Sequence, residues 1–220
     1  MTRIARIVVP GVPHHVTQRG ARRMQVFFCE DDYETYRRLL REQVLRYKVS
    51  VWDYCLMPNH LHLIVVPSDR FGLARALAAT HRRYALLTNG RHGWRGHLWQ
   101  ERFWSFPMNE ASLSVVTRYV LLNPVRAGLV DRAEEWPFSS ARQHLGISQD
   151  NLAEGRALDS RIGDWGGLLG EAEKEDELAA VRQHSATGRP MGDARYVSEI
   201  EALLGRKIQS KPQGRPRRTS

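Results

Sequence analysis

The chain has 220 residues, 42% hydrophobic and 26% charged, with 33 Lys and Arg against 24 Asp and Glu, a net charge of +9 and a pI near 10.1. That length suits one domain with an extension or two small domains, the apolar share supports a packed core, and the basic balance favours a polyanionic partner, nucleic acid first. Two cysteines, Cys29 and Cys55, fit no metal ribbon or disulfide framework, and no stretch reaches membrane length.

The opening run MTRIARIVVPGVPHH is too short for a signal peptide, so the expectation is a cytoplasmic protein with reduced thiols and no membrane partner. Residues 12–18 read as a strand, followed by a Gly-Ala-Arg-Arg turn. Residues 31–47 are helical: Tyr36, Leu39, Leu40, Gln43, Val44 and Tyr47 recur at three- and four-residue steps, and Glu30, Asp31 and Asp32 complement the dipole at the start. Residues 49–57 and 60–66 form two strands joined by Pro58-Asn59, a hairpin. A second helix covers 72–87, a Gly- and Arg-rich loop 89–97, and an aromatic strand 98–108. Asn109 or Ser112 caps a helix to about Leu122, and Pro124 bars its continuation, pushing Asn123 toward non-helical geometry. The order β-α-β-β-α-β predicts an α+β, ferredoxin-like antiparallel sheet with an added helix after the last strand. No internal repeat is present. Past residue 146 the character changes: 151–170 is loop-like, 171–186 a charged helix and 196–204 a short amphipathic one. The expected division is 1–145 as one domain, 146–205 as a helical extension and 206–220 as a basic tail, disordered when free.

The sharpest local feature is MPNHLHLIV, residues 57–65. Side chains alternate across a strand, so His60 and His62 share a face and can converge on one ion while Leu61, Leu63 and Val65 pack behind. Nine histidines in this length make roughly a third of such a pair expected by chance, so two hydrogen-bonded histidines on a half-buried strand remain an alternative. Asn59 could serve the hairpin turn or DNA. Tyr119 and Asn123 are four apart near the end of one helix and so share a face. A phenol near its ordinary pKa of about 10 needs a metal-polarised target and a proton acceptor to attack. Two imidazoles and the Asn123 amide oxygen would leave open positions on Mn²⁺ or Mg²⁺. Spacing alone does not separate Tyr119 from the other six tyrosines, which fit packing roles.

PGVPHHVTQRG, MPNHLHLIV, RYVLLNPVRAGLV and WPFSSA resemble, in that order, blocks of the single-tyrosine HUH transposases, and most of all the REP-associated tyrosine transposases. The likeness spans about residues 7–141, and GRPMGDARYVSEIEALLGRKI with its GRPRR tail is similar to that subgroup's C-terminal extension. The resemblance implies that residues 1–145 are a catalytic domain, with His60 and His62 as metal ligands, Tyr119 as nucleophile and Asn123 where relatives place a polar third ligand, some of them Gln. It further implies cleavage of single-stranded DNA beside a hairpin through a 5′-phosphotyrosine, with rejoining that needs no ATP, in a monomer or homodimer.

Arg19, Arg22, Arg23, Arg82, Arg83 and Arg126 are candidate phosphate contacts, each with a solvated surface role as the alternative. Trp94, Trp99, Phe103 and Trp104 could stack bases or pack the core. In the tail, Lys211, Arg215, Arg217 and Arg218 are further DNA-binding candidates; Gly214-Arg215-Pro216 resembles an AT-hook core, and a nonspecific phosphate-binding tail fits equally. Two other readings stay open: a non-catalytic ferredoxin-like nucleic-acid binder, which would expose aromatics on its sheet, and a replication- or relaxase-type HUH nuclease, which often carries paired tyrosines.

Overall fold

A computed structural model describes residues 5–154 and 156–208. Strands β1 (His14–Arg19), β2 (Val49–Met57), β3 (His60–Pro67) and β4 (Trp104–Pro107) form one sheet in the order β2-β3-β1-β4, with every neighbouring pair antiparallel. Helices α1 (Glu30–Arg46) and α2 (Gly72–His92) follow β1 and β3, which completes the expected ferredoxin-like β-α-β-β-α-β order. Helix α3 (Glu110–Leu121) follows β4, capped by the Asn109 side chain, which accepts from Ser112 N at 3.0 Å.

The pleat divides the sheet into two faces. Val16, Leu61, Leu63 and Val65 point into a core with α1 and α2, where Tyr36, Leu39, Leu40, Leu73, Ala76 and Leu77 are buried. His15, His60, His62, Ile64, Cys55, Met57 and Phe106 occupy the opposite face, where the second core gathers Val116, Val120 and Leu121 of α3. A bulge between Val51 and Asp53 re-phases β2 so that Tyr54 and Leu56 rejoin the first core. Each fully buried Leu or Ile contributes about 1.5–3 kcal/mol relative to exposure, so both faces are strongly pinned in register.

Four expectations change, three of them within residues 72–126. The long aromatic strand shrinks to β4, because Glu101 adopts a left-handed φ of 49° and breaks the extended run; Trp99 makes only an isolated bridge to Gly20. Helix α2 runs on through 89–92, past the reading that ended it at 87, and stops at Gly93, whose φ of 65° closes the turn. Asn123 is not expelled from helical structure: Pro124 sits in the first turn of a new short helix, α4 (Asn123–Arg126), where no amide hydrogen is needed.

The 151–170 segment, expected as loop, contains α6 (Arg156–Ile162) and α7 (Trp165–Gly170), after the single turn α5 (Ala141–His144). Asp164 caps α7 through Gly167 N at 2.9 Å, a signal that a six-residue, glycine-rich helix hides from periodicity. Helix α8 (Glu175–Thr187) and α9 (Ala194–Leu204) complete the described chain. Trp165 and Val181 enter the second core, Met191 pairs with Pro107 and Asn109 at the β4 edge, and Ile200 and Ile208 pack on Ile7 and Val9. Lys211, Arg215, Arg217 and Arg218 lie outside the described residues. Among the described residues no helix is long and apolar enough to cross a membrane.

Candidate active site

Register places the site. Thr17 lies opposite His62 and Arg19 opposite His60 across β1–β3, while Trp104 lies opposite Thr17 and Phe106 opposite His15. Thr17, Arg19, His60, His62 and Trp104 floor a cavity of about 690 Å³ that also admits Arg23, Gln100 and Tyr119, with Arg182, Ser185 and Ala186 of α8 as one wall.

His60, His62 and Asn123 converge. The Asn123 amide nitrogen lies 2.8 Å from His62 Nε2, and the His60 and His62 ring centroids are 5.0 Å apart. Burial, helped by Arg19 and Arg126, lowers the His60 pKa to about 4; burial and the neighbouring His60 and His15 push His62 well below its ordinary value. Both rings are therefore neutral at pH 7; the His62 Nε2 lone pair accepts from Asn123 Nδ2 here, and it would serve an ion once that amide turns its oxygen to the site. The amide of Asn59 orients His60. Its Nδ2 donates to the Arg23 carbonyl at 3.2 Å, so its Oδ1 must be the atom 2.6 Å from His60 Nδ1. That oxygen accepts the Nδ1 hydrogen and leaves Nε2 unprotonated. Asn59 thus serves both the turn and the site. Among the described residues no cluster of three His, Cys, Asp or Glu has metal-binding spacing, so an ion here would draw on two imidazoles, one amide and oxygens from outside the chain. That mixed nitrogen and oxygen set fits Mg²⁺ or Mn²⁺ when phosphate completes the shell.

Tyr119 is half-buried, its ring centroid 5.7 Å from that of His62 and 6.1 Å from that of His15, both edge to face. Tyr33, Tyr36, Tyr54, Tyr84 and Tyr196 pack elsewhere, and burial pushes each of their phenols up. Position thus separates Tyr119 from residues that spacing could not.

The arginine candidates divide. Arg19 and Arg23 are exposed and line the cavity; Arg22 is exposed beside them. Arg22 and Arg23 carry left-handed φ values of 54° and 63°, strain held by the close-fitting 20–26 loop, where a Cβ on Gly20 would meet Met24 O at 2.2 Å. Arg82 lies on a different, apolar cavity of about 560 Å³ beside α2, and Arg83 pairs with Glu42 at 2.6 Å. Arg126 points inward. It pairs with Glu173 at 2.5 Å, donates to Tyr119 O at 2.7 Å and lies 4.3 Å over the Tyr119 ring. Of the aromatics, Trp99 and Phe103 are core, Trp94 is 40% exposed and stacks on His92, and Trp104 borders the cavity.

Sequence reasoning missed His15, Thr17, Gln100 and the α8 wall. Alternation along β1 could have found His15 and Thr17; nothing local marks Arg182 or Ser185.

The family described as "Transposase IS200 like" matches residues 9–123. A Haemophilus influenzae protein described as a REP-associated tyrosine transposase is 24% identical over 151 residues, 64% of this chain and 80% of that protein. A solved structure of a REP-associated tyrosine transposase bound to a REP hairpin shares the fold, with 20% identity, a TM-score of 0.54, and coverage of 70% of this chain and 98% of that one.

Proposed function

The chain belongs to the IS200-like transposase family, and from that premise we propose that it is a metal-dependent single-strand DNA endonuclease and strand-transferase of the REP-associated tyrosine type. The observation that carries this reading is the convergence of His60, His62 and Asn123 beside Tyr119 in one arginine-rimmed cavity. A bound Mg²⁺ or Mn²⁺ would polarise the scissile phosphate. The Tyr119 oxygen attacks phosphorus, its proton passing to water in the cavity. The bond to the 3′ oxygen breaks, and that oxygen leaves as a 3′-OH with a proton from solvent. The phosphodiester energy stays in the 5′-phosphotyrosine, so an incoming 3′-OH reverses the step without ATP. Arg19, Arg23 and Arg182 hold the strand backbone, which supplies salt-dependent affinity and little sequence information. The hairpin partner is proposed by analogy with the similar structure solved on a REP hairpin.

The non-catalytic reading requires a row of open sheet aromatics, whereas helices pack on both faces of this sheet and Phe106 is buried, with Trp104 at the cavity edge. The test mixes the purified protein with a hairpin-flanked single strand and Mg²⁺ or Mn²⁺. A covalent protein–DNA adduct is expected, lost in Tyr119→Phe with hairpin binding intact, and lost when His60 and His62 are both changed to Ala. An adduct that persists in Tyr119→Phe rejects the nucleophile.

A further inference from the structure

His62 has a second neighbour that no part of the reaction above requires. His15 Nε2 lies 2.9 Å from His62 Nδ1, with the rings within 6° of parallel, an in-line contact between two imidazoles. His15 is 1% exposed and held edge-on by Phe106, centroids 5.1 Å apart, and by Tyr119. Its Nδ1 is buried with no hydrogen-bond partner. A buried polar atom left unpaired is destabilising, so a purely apolar role would be better filled by another side chain.

The two metal-ligand candidates are oriented differently. Asn59 fixes His60 by itself, because its amide nitrogen is already committed to Arg23 O. His62 has no such fixed acceptor: its Nδ1 meets another imidazole, which can donate or accept. Two arrangements are open to the neutral pair, and each holds two N–H hydrogens. In one, His15 Nε2–H donates to His62 Nδ1, and His62 carries its hydrogen on Nε2, facing Asn123, with no lone pair for an ion. In the other, His62 Nδ1–H donates to His15 Nε2, His15 carries its own hydrogen on Nδ1, and the His62 Nε2 lone pair faces the site.

We propose that His15 is a positioning residue for His62, accepting its Nδ1 hydrogen so that Nε2 is presented to the ion in the tautomer that can ligate. The inference rests on His60, His62 and Asn123 being the metal site. Outer partners of ligating histidines fix tautomer and ring orientation, and their loss typically weakens metal binding about 10–100-fold.

The experiment measures Mn²⁺ binding to the full-length chain by electron paramagnetic resonance, for wild type, His15→Phe and His15→Gln. Phe keeps the ring packing against Phe106 and removes the acceptor; Gln can return an oxygen near the lost Nε2. The expected result is affinity about 10–100-fold weaker in His15→Phe and largely restored in His15→Gln. Wild-type binding with an unchanged His15→Phe affinity would overturn the role of His15 and leave the metal site standing. Failure of the wild type itself to bind would overturn the metal site, and this inference with it. Nitrogen-15 spectra of the wild-type histidines, with and without Mg²⁺, do not depend on any variant folding. In the Mg²⁺-loaded protein both His62 and His15 should carry their hydrogens on Nδ1; a loaded form with His15 protonated on Nε2 would refute the proposal.

Discussion

Arg126 and Glu173 offer a direct perturbation of the support of Tyr119, the proposed nucleophile. Arg126 pairs with Glu173 at 2.5 Å, with side chains only 20% and 14% exposed, lies 4.3 Å over the Tyr119 ring and donates to the Tyr119 carbonyl at 2.7 Å. An exposed pair contributes about 0–1 kcal/mol, and breaking a fully buried one costs about 3–5 kcal/mol. This largely buried pair falls between, so Glu173→Gln, which keeps an acceptor and removes the charge, should lose about 2 kcal/mol. Arg126→Met also loses the ring contact, about 0.5–1 kcal/mol, and a charge-assisted hydrogen bond, about 1.5 kcal/mol. It should therefore be the worse variant by about 2 kcal/mol. Urea unfolding of both single variants and the double variant gives the pair's coupling, expected at about 1–2 kcal/mol. Adduct formation on a hairpin-flanked strand should slow about tenfold or more in Glu173→Gln, since small misplacements of a reacting group are expensive. Coupling below about 0.5 kcal/mol together with an unchanged adduct rate would refute the idea that the extension aims Tyr119.

Arg182 of α8 lines the cavity beside Tyr119 and holds Glu175 only in an exposed pair, 53% and 78% accessible. Arg182→Gln should weaken single-strand binding at low salt and reduce the salt slope by about 0.7, one phosphate contact's worth; an unchanged slope excludes the contact. Burial lowers the pKa of His14 to about 4 and that of His81 to about 3, against 6.5 in the unfolded chain. Between these values the unfolded state binds more protons, so stability is intact above pH 6.5 and falls as pH drops, by about 1.4 kcal/mol per pH unit for each histidine. His81→Gln should flatten that decline by about one histidine's share in urea melts at pH 7, 5.5 and 4.5; an identical slope would mean His81 titrates normally in the fold.

The sheet was legible because strict alternation and turn chemistry agree: Pro58-Asn59 between two apolar runs allows one hairpin, and Leu61, Leu63 and Val65 allow one facing. The same alternation put His60 and His62 on the face where α3 docks. Glu101 shows where that signal fails, since an unbranched charged residue in a left-handed conformation leaves no local mark, and the aromatics around it read as a strand. Arg126 shows a second limit. Its charge suggested phosphate, but its partner Glu173 lies 47 residues on, in a segment whose placement depends on Trp165 and Val181 packing into the second core. Likewise Arg118 of α3 is almost fully buried between Glu171 and Glu177. Long-range ion pairs decide which arginines face inward, and short-range patterns do not contain them.

The two imidazoles are therefore not equivalent parts of the site. His60 is aimed by Asn59, whose other amide bond goes to Arg23 O in a loop where Arg22 and Arg23 sit in left-handed conformations and Gly20 N reaches Asn59 O at 2.8 Å. Were Arg23 to take a phosphate, as proposed, any movement of that loop would reach the His60 ring through one amide. His62 has no such link to the surface: its partners are His15 and Asn123, both buried, and its ring is 4% exposed. On the proposed reading, strand binding would adjust His60 through Asn59 while His62 stays held by His15 and Asn123, a coupling of DNA affinity to ion affinity that adds to any phosphate oxygen the strand itself gives the ion. Cutting the link by Asn59→Ala should leave the His62 side of the site as it is and reduce, without abolishing, the dependence of Mn²⁺ affinity on the strand, read by titrating the ion with and without DNA.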